Sequence, residues 1–276
     1  NGSRFVPVVG GLAFRLDIQP VIHELINASQ NAPPRLQKSH GRHLRDDSVM
    51  RRIHIPSAGP GSWQQFLAEP EKQWKTGYSA KSLAYSWEEA DGFPKEISDA
   101  LADSDIEALN GMTPLLVVPE HKVPLPGGRT ESQNDVFVLG STTSGLVSIC
   151  IEGKVNESFG EPVSEWGPDS SPGKRQRFQY LKDVLELEGK DLSGIYYQLL
   201  HRTASAIIEA KRFHASTAVM LVHSFSQEHR WFPEFREFTE KLGVEAESNT
   251  VHYCGQRSGV ALYIGWVVGN AEYPER

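Results

Sequence analysis

Asn134-Asp135-Val136-Phe137-Val138-Leu139 and, after a short polar turn, Leu146-Val147-Ser148-Ile149-Cys150-Ile151-Glu152-Gly153-Lys154 decide the reading of this chain. Residues 135–139 and 146–154 are β-rich runs, and the glycines and hydroxyls of 140–145 between them suit a reversal between antiparallel strands. In a strand, side chains alternate between faces, so Glu152 and Lys154 project to one side together with Ser148 and Cys150, while Gly153 points away. Asp135 opens the first strand, and the hairpin returns the chain so that Glu152 and Lys154 end near it. Two acids and a lysine thereby converge.

Two neighbouring carboxylates repel each other unless a cation lies between them, and hard oxygen ligands favour Mg²⁺, with Mn²⁺ as the alternative. An adjacent lysine orients an attacking water and neutralises charge developing on a phosphate. The competing reading is a surface hairpin that ends in an ordinary Glu-Lys pair. Against it stands the apolar run 146–151, which reads as a buried strand, and charges at the end of a buried strand call for a reason.

The chain has 276 residues, 39% of them hydrophobic, with six Trp, enough for a sizeable core. The net charge of −7 argues against non-specific adhesion to nucleic acid, which usually goes with basic excess. Residues 1–49 hold six Lys/Arg against four Asp/Glu, which leaves 22 against 31 in the remainder, so the acidic part is the body. Two cysteines, Cys150 and Cys254, form no paired metal motif, and a reduced, cytoplasmic chain is expected. No apolar stretch has the length of a membrane span, and no signal peptide is recognisable.

Residues 1–49 read as an extension, with one amphipathic helix over 17–28 and a Pro- and Arg-containing linker over 31–48. Residues 50–276 read as one globular domain. A short strand is expected at 51–56, a helix over 63–74 that Pro70 breaks or kinks, and helices over 79–90 and 95–101. A buried strand over 115–118 and a loop over 120–131 precede the hairpin. A further loop over 161–173, helices over 174–187 and 195–213, a buried strand over 216–224, a helix over 232–242 and a strand over 259–268 complete the chain.

From residue 79 the order is helix, three strands, helix, strand, with an acid opening the second strand and Glu-x-Lys closing the third. Over residues 79–224 this order, with Asn134-Asp135 and Ile151-Glu152-Gly153-Lys154, resembles the PD-(D/E)XK, or restriction-endonuclease-like, nuclease superfamily. Asn134 stands where the superfamily's name has proline. The resemblance implies an α/β fold with a central mixed sheet flanked by helices and an αβββαβ core. It also implies a Mg²⁺- or Mn²⁺-dependent hydrolysis of DNA phosphodiesters, in a defence or restriction setting. By the same resemblance Asp135 and Glu152 hold the metal, the Gly153 carbonyl joins its shell, and Lys154 assists the water. Because the body is acidic and lacks an evident DNA-binding module, a protein partner or homo-oligomer is a further expectation. The alternatives are a catalytically inactive interaction protein on the same fold, with the three charges as a structural ion cluster, and a metal-dependent hydrolase of small phosphorylated molecules.

Accessory candidates are Glu88 or Glu89 as a further acid, against a solvated helix end. Gln176 and Tyr180 match the Gln-x-x-x-Tyr signature of RecB-like members. Tyr197, Gln198, His201 and Arg202 share a helical face suited to a phosphate path, or to a satisfied core edge. His223 ends a buried strand, where a lone histidine is more often structural. His252 beside Cys254 lacks the partners a zinc site needs.

Overall fold

The hairpin forms, and it is longer than its charged and apolar residues suggested. In the computed structural model, which describes residues 57–276, the main elements are α1 (Ser79–Glu89), α2 (Lys95–Ala102), β1 (Thr113–Val123), β2 (Ser132–Thr142), β3 (Gly145–Lys154), α3 (Pro172–Leu185), α4 (Tyr197–Arg212), β4 (Thr217–Ser224), α5 (Phe232–Leu242), β5 (Thr250–Arg257) and β6 (Val260–Val268). The strand at 51–56, the helix over 17–28 and the linker lie outside the described residues.

All six strands form one mixed sheet in the order β1-β2-β3-β4-β6-β5. β1, β2 and β3 are an antiparallel meander, β4 is parallel to both β3 and β6, and β5 closes the far edge antiparallel to β6. The chain is therefore an α/β fold, a central mixed sheet flanked by helices. Among the described residues no helix is long and apolar enough to cross a membrane.

The middle strands are buried on both faces, which is why β4 reads as a continuous apolar run rather than an alternating one. On one face Leu83 and Trp87 of α1 and Ile97 and Leu101 of α2 pack on Val136, Val138, Ile149, Ile151, Val219 and Leu221. On the other face α4 lies across β2, β3 and β4, and Phe235 of α5 packs on Trp266, ring centroids 5.4 Å apart.

Several boundaries differ from expectation for identifiable reasons. The hairpin turn is not the six residues 140–145. Thr142 pairs with Gly145 across a two-residue turn, and Gly145 takes φ 127°, open to glycine. β1 continues through Glu120 to Val123, so the expected loop shrinks to 124–131; Pro114 and Pro119 are accommodated because β1 is an edge strand. The helix expected over 63–74 is a 3₁₀ segment, Pro60–Phe66, and a single turn, Pro70–Gln73, divided before Pro70. β5 was not expected: its pairing shifts between Tyr253 and Gln256 with Gly255 at φ 87°, a bulge that erases the period-two pattern.

Candidate active site

The β2–β3 pairing runs to Val136 opposite Ile151, which places Asp135 and Glu152 at the next position. There a side chain takes over from the backbone ladder: Gly153 N–H donates to Asp135 Oδ2 at 2.8 Å. On the other side of β2, the pairs Pro119–Val136 and His121–Asn134 set Glu120 opposite Asp135. Glu120, Asp135 and Glu152 thus form a row across three adjacent strands, whose spacing is about 4.8 Å.

Glu152 and Lys154 project to the α4 face, as alternation requires; the same face carries Ser148, whose Oγ donates to Ala206 O at 2.9 Å. Gly153 faces α1. A Cβ there would lie 2.3 Å from Leu83 Cδ1, so the residue between Glu and Lys is glycine because the helix leaves no room for a side chain.

α4 supplies the partners. Arg202 Nε donates to Glu152 Oε2 at 2.5 Å, and Lys154 Nζ donates to Glu152 Oε1 at 2.5 Å, so both oxygens of this 2%-exposed residue are engaged by cations. Lys154 Nζ also donates to Gln198 Oε1 at 3.1 Å and lies 4.8 Å from the centre of the Phe159 ring. Arg202 reaches Asp135 as well, with an N–O separation of 3.9 Å. Farther along α4, Ser205 Oγ donates to Ser132 Oγ at 2.9 Å, and Glu209 Oε2 meets His121 Nε2 at 3.1 Å. Gln198, Arg202, Ser205 and Glu209 recur at spacings of three and four, a single polar stripe facing the sheet.

Charge balance follows from this geometry. Burial, and then the charge of Glu152, push the Asp135 carboxyl up to about 7. Burial, and then the charge of Asp135, push Glu120 up to about 8, although Gln133 Nε2 donates to it at 2.6 Å. Burial opposes the charge of Glu152 too, but Arg202 and Lys154 outweigh it and hold that carboxyl below its ordinary value. Burial and the Arg202 charge keep His201 well below the usual imidazole range; its Nδ1 lies 2.8 Å from Ser132 Oγ. Three carboxyl groups face two cations, and the imbalance is met by Asp135 and Glu120 holding their protons to higher pH.

Asp135, Glu152, Gly153 and Lys154 are therefore brought together. Glu120 falls in residues 120–131, which read as a loop from Pro124, Pro126, Gly127 and Gly128; it takes φ 53°, a left-handed conformation costing a non-glycine residue about 1–2 kcal/mol, and no residue type announces that. Of the α4 candidates, Gln198, His201 and Arg202 join the site, whereas Tyr197 stacks on Trp166 at 4.0 Å. The other accessory residues have structural roles. Glu88 accepts from Trp63 Nε1 at 2.8 Å and Glu89 pairs with Arg276. Gln176 is exposed; the buried polar residue of α3 is Arg177, which donates to Pro126 O at 2.9 Å and Thr130 O at 2.8 Å and pins the β1–β2 connection. His223 contacts Glu96 of α2 at 2.9 Å on the opposite face. His252 accepts from Glu247 N–H at 3.0 Å, and burial pushes the Cys254 thiol up to about 12.

Among the described residues no group of three His, Cys, Asp or Glu side chains stands at metal-binding distances. The donors at the row are nonetheless all oxygen, the ligand chemistry of a hard divalent cation such as Mg²⁺ or Mn²⁺. No curated protein and no solved structure matches the chain. Residues 56–271 match the family described as "Domain of unknown function (DUF6946)", and the chain belongs to that family.

Proposed function

We propose that this protein is a metal-dependent phosphodiesterase of the PD-(D/E)XK type that hydrolyses DNA. One observation carries the reading: Asp135 and Glu152 meet where the β2–β3 ladder ends, beside a buried Lys154, within a helix, three antiparallel strands, a helix and a parallel strand. Asp135, Glu152 and the Gly153 carbonyl would hold the ion. A bound Mg²⁺ or Mn²⁺ supplies Lewis-acid stabilisation of the charge that builds on the phosphate. Lys154, fixed between Glu152 and Gln198, orients the attacking water and meets the charged phosphate oxygens. Glu120 adds a third carboxyl to the row, and a bound cation would favour its ionised form.

The test is nicking of supercoiled plasmid with Mg²⁺ or Mn²⁺ by the wild type and by Lys154→Ala and Asp135→Asn. Metal-dependent nicking that both variants lose is the expected result; equal nicking by Lys154→Ala would remove the assigned mechanism.

A second reading is favoured by the full engagement of Glu152 with Arg202 and Lys154: a structural ion cluster in a catalytically inactive interaction protein. It requires that Mg²⁺ and Mn²⁺ leave the melting temperature unchanged and that no nucleic acid is cut.

A further inference from the structure

We propose that Arg202 is a built-in competitor of the metal, its guanidinium filling the place between Glu152 and Asp135 that a divalent cation takes and withdrawing onto Ser132 and His201 when an ion binds. The inference rests on the metal-dependent reading above and deepens it by assigning a regulator to the same site.

The guanidinium already does what the ion would do. Its Nε lies 2.5 Å from Glu152 Oε2 and a terminal nitrogen lies 3.9 Å from Asp135 Oδ1, so one cation is bonded to one assigned ligand and within ion-pair range of the other. The planar fork suits carboxylates, and without an ion it keeps the buried Glu152 charge compensated. A second set of acceptors is in place. The other terminal nitrogen donates to Ser132 Oγ at 3.3 Å and lies 3.4 Å from His201 Nδ1. Burial and the Arg202 charge keep His201 below its ordinary range, so no imidazolium charge opposes the guanidinium there. A pivot about the outer side-chain torsions releases Glu152 and keeps the contacts to Ser132 and His201, with the α4 backbone unmoved.

The charges support an exchange rather than an addition. Glu120, Asp135 and Glu152 face Arg202 and Lys154, leaving one negative charge when all are ionised. An ion bound with the guanidinium still on Glu152 would set two cations against one carboxylate oxygen, and the pivot relieves that repulsion by moving the guanidinium off Glu152 toward Ser132 and His201. Metal affinity is therefore reduced by the work of displacing Arg202, and the site loads only above a threshold of free ion.

Mn²⁺ titration calorimetry and thermal shift on the full chain, comparing wild type, Arg202→Gln and Arg202→Lys, test the exchange without reference to cleavage. Arg202→Gln is expected to bind Mn²⁺ at least tenfold more tightly and to gain more melting temperature from the ion. Arg202→Lys keeps the positive charge that folding requires, but its single ammonium cannot bridge Glu152 and Asp135, and binding a few-fold tighter than wild type is expected. In the wild type, saturating Mg²⁺ is expected to shift the Arg202 Nε–H resonance as the bond to Glu152 breaks. Equal or weaker Mn²⁺ binding in the folded variants, or an unmoved resonance at saturation, overturns the inference and leaves the metal reading intact. No binding by any of the three proteins overturns both.

Discussion

Gly153 donates its backbone N–H to Asp135 Oδ2 at 2.8 Å while its Cα faces Leu83 with no space for a methyl group. One residue therefore couples the seating of α1 on the sheet to the orientation of a candidate metal ligand. Gly153→Ala is expected to destabilise the fold by about 1–3 kcal/mol through overpacking. Leu83→Ala in the same chain should restore part of that loss. Urea melts of the two single variants and the double variant measure the coupling, and simple additivity would show that the clash is not between these two side chains.

Asp135 and Glu152 should respond oppositely to removal of charge. Glu152→Gln leaves Arg202 and Lys154 buried without their anion, a loss of about 3–5 kcal/mol. Asp135→Asn relieves repulsion at a side chain that retains 19% exposure, and at pH 8 it is expected to be neutral or stabilising. Denaturation at pH 8 separates them; equal losses would mean that the row does not carry surplus negative charge.

The same surplus sets a pH dependence. Folding raises Asp135 to about 7 and Glu120 to about 8, so the folded chain holds protons that the unfolded chain releases near its ordinary carboxylate range. Their contribution is fully present below that range and is lost as pH rises through 7 and 8. A decline of about 2–4 kcal/mol between pH 5 and pH 8.5 is expected. Glu152, held low, acts in the other direction, and its contribution is lost only as pH falls below the usual carboxylate range. Melting temperatures across pH 5–8.5 check the sign, and the double variant Glu120→Gln/Asp135→Asn should flatten the profile.

Lys154→Met removes the ammonium that lies 4.8 Å from the Phe159 ring centre and keeps an unbranched apolar stem. Metal-dependent cleavage should fall about 10²–10⁴-fold, the range for a lost positioned acid–base or charge-stabilising group. Mn²⁺ affinity should not weaken, because the variant removes a positive charge beside Glu152. Calorimetry beside a cleavage assay distinguishes this from a folding defect.

His223 serves as the control. Its contact with Glu96 lies on the face opposite α4, and its Nδ1 is buried with no hydrogen-bond partner among the described residues. His223→Gln should lower stability and leave Mn²⁺ binding within about twofold of wild type, a difference of about 0.4 kcal/mol. A larger loss of binding would extend the site through the sheet.

The parts of this architecture that were legible are those governed by local periodicity. Alternation along 146–154 placed Ser148, Cys150, Glu152 and Lys154 on one face, and the α4 face holds them. Glu120 could not be read, because its position depends on β1 pairing past Pro119 in a left-handed conformation, which is set by the neighbouring strand. Arg202 was visible as a cation on a helical face, but periodicity does not say whether such a group lines a path for phosphate or turns in to a buried carboxylate. Gln176 and Tyr180 matched a spacing, yet Gln176 is exposed and Arg177 beside it is buried. The β5 strand was hidden by its own bulge at Gly255.

The polar stripe of α4 has a mechanical consequence. An α-helix advances about 100° per residue, so inserting one residue early in α4 would swing Arg202, Ser205 and Glu209 off the sheet together, while Gln198 upstream kept its place. Lys154 would stay tethered as its neighbours lost their counter-groups. A residue inserted instead in the 124–131 connection changes a surface span held by Arg177. Tolerance to length variation should thus differ sharply between two segments of similar exposure to chance: the helix behaves like a cut key, in which one displaced notch misaligns every later one.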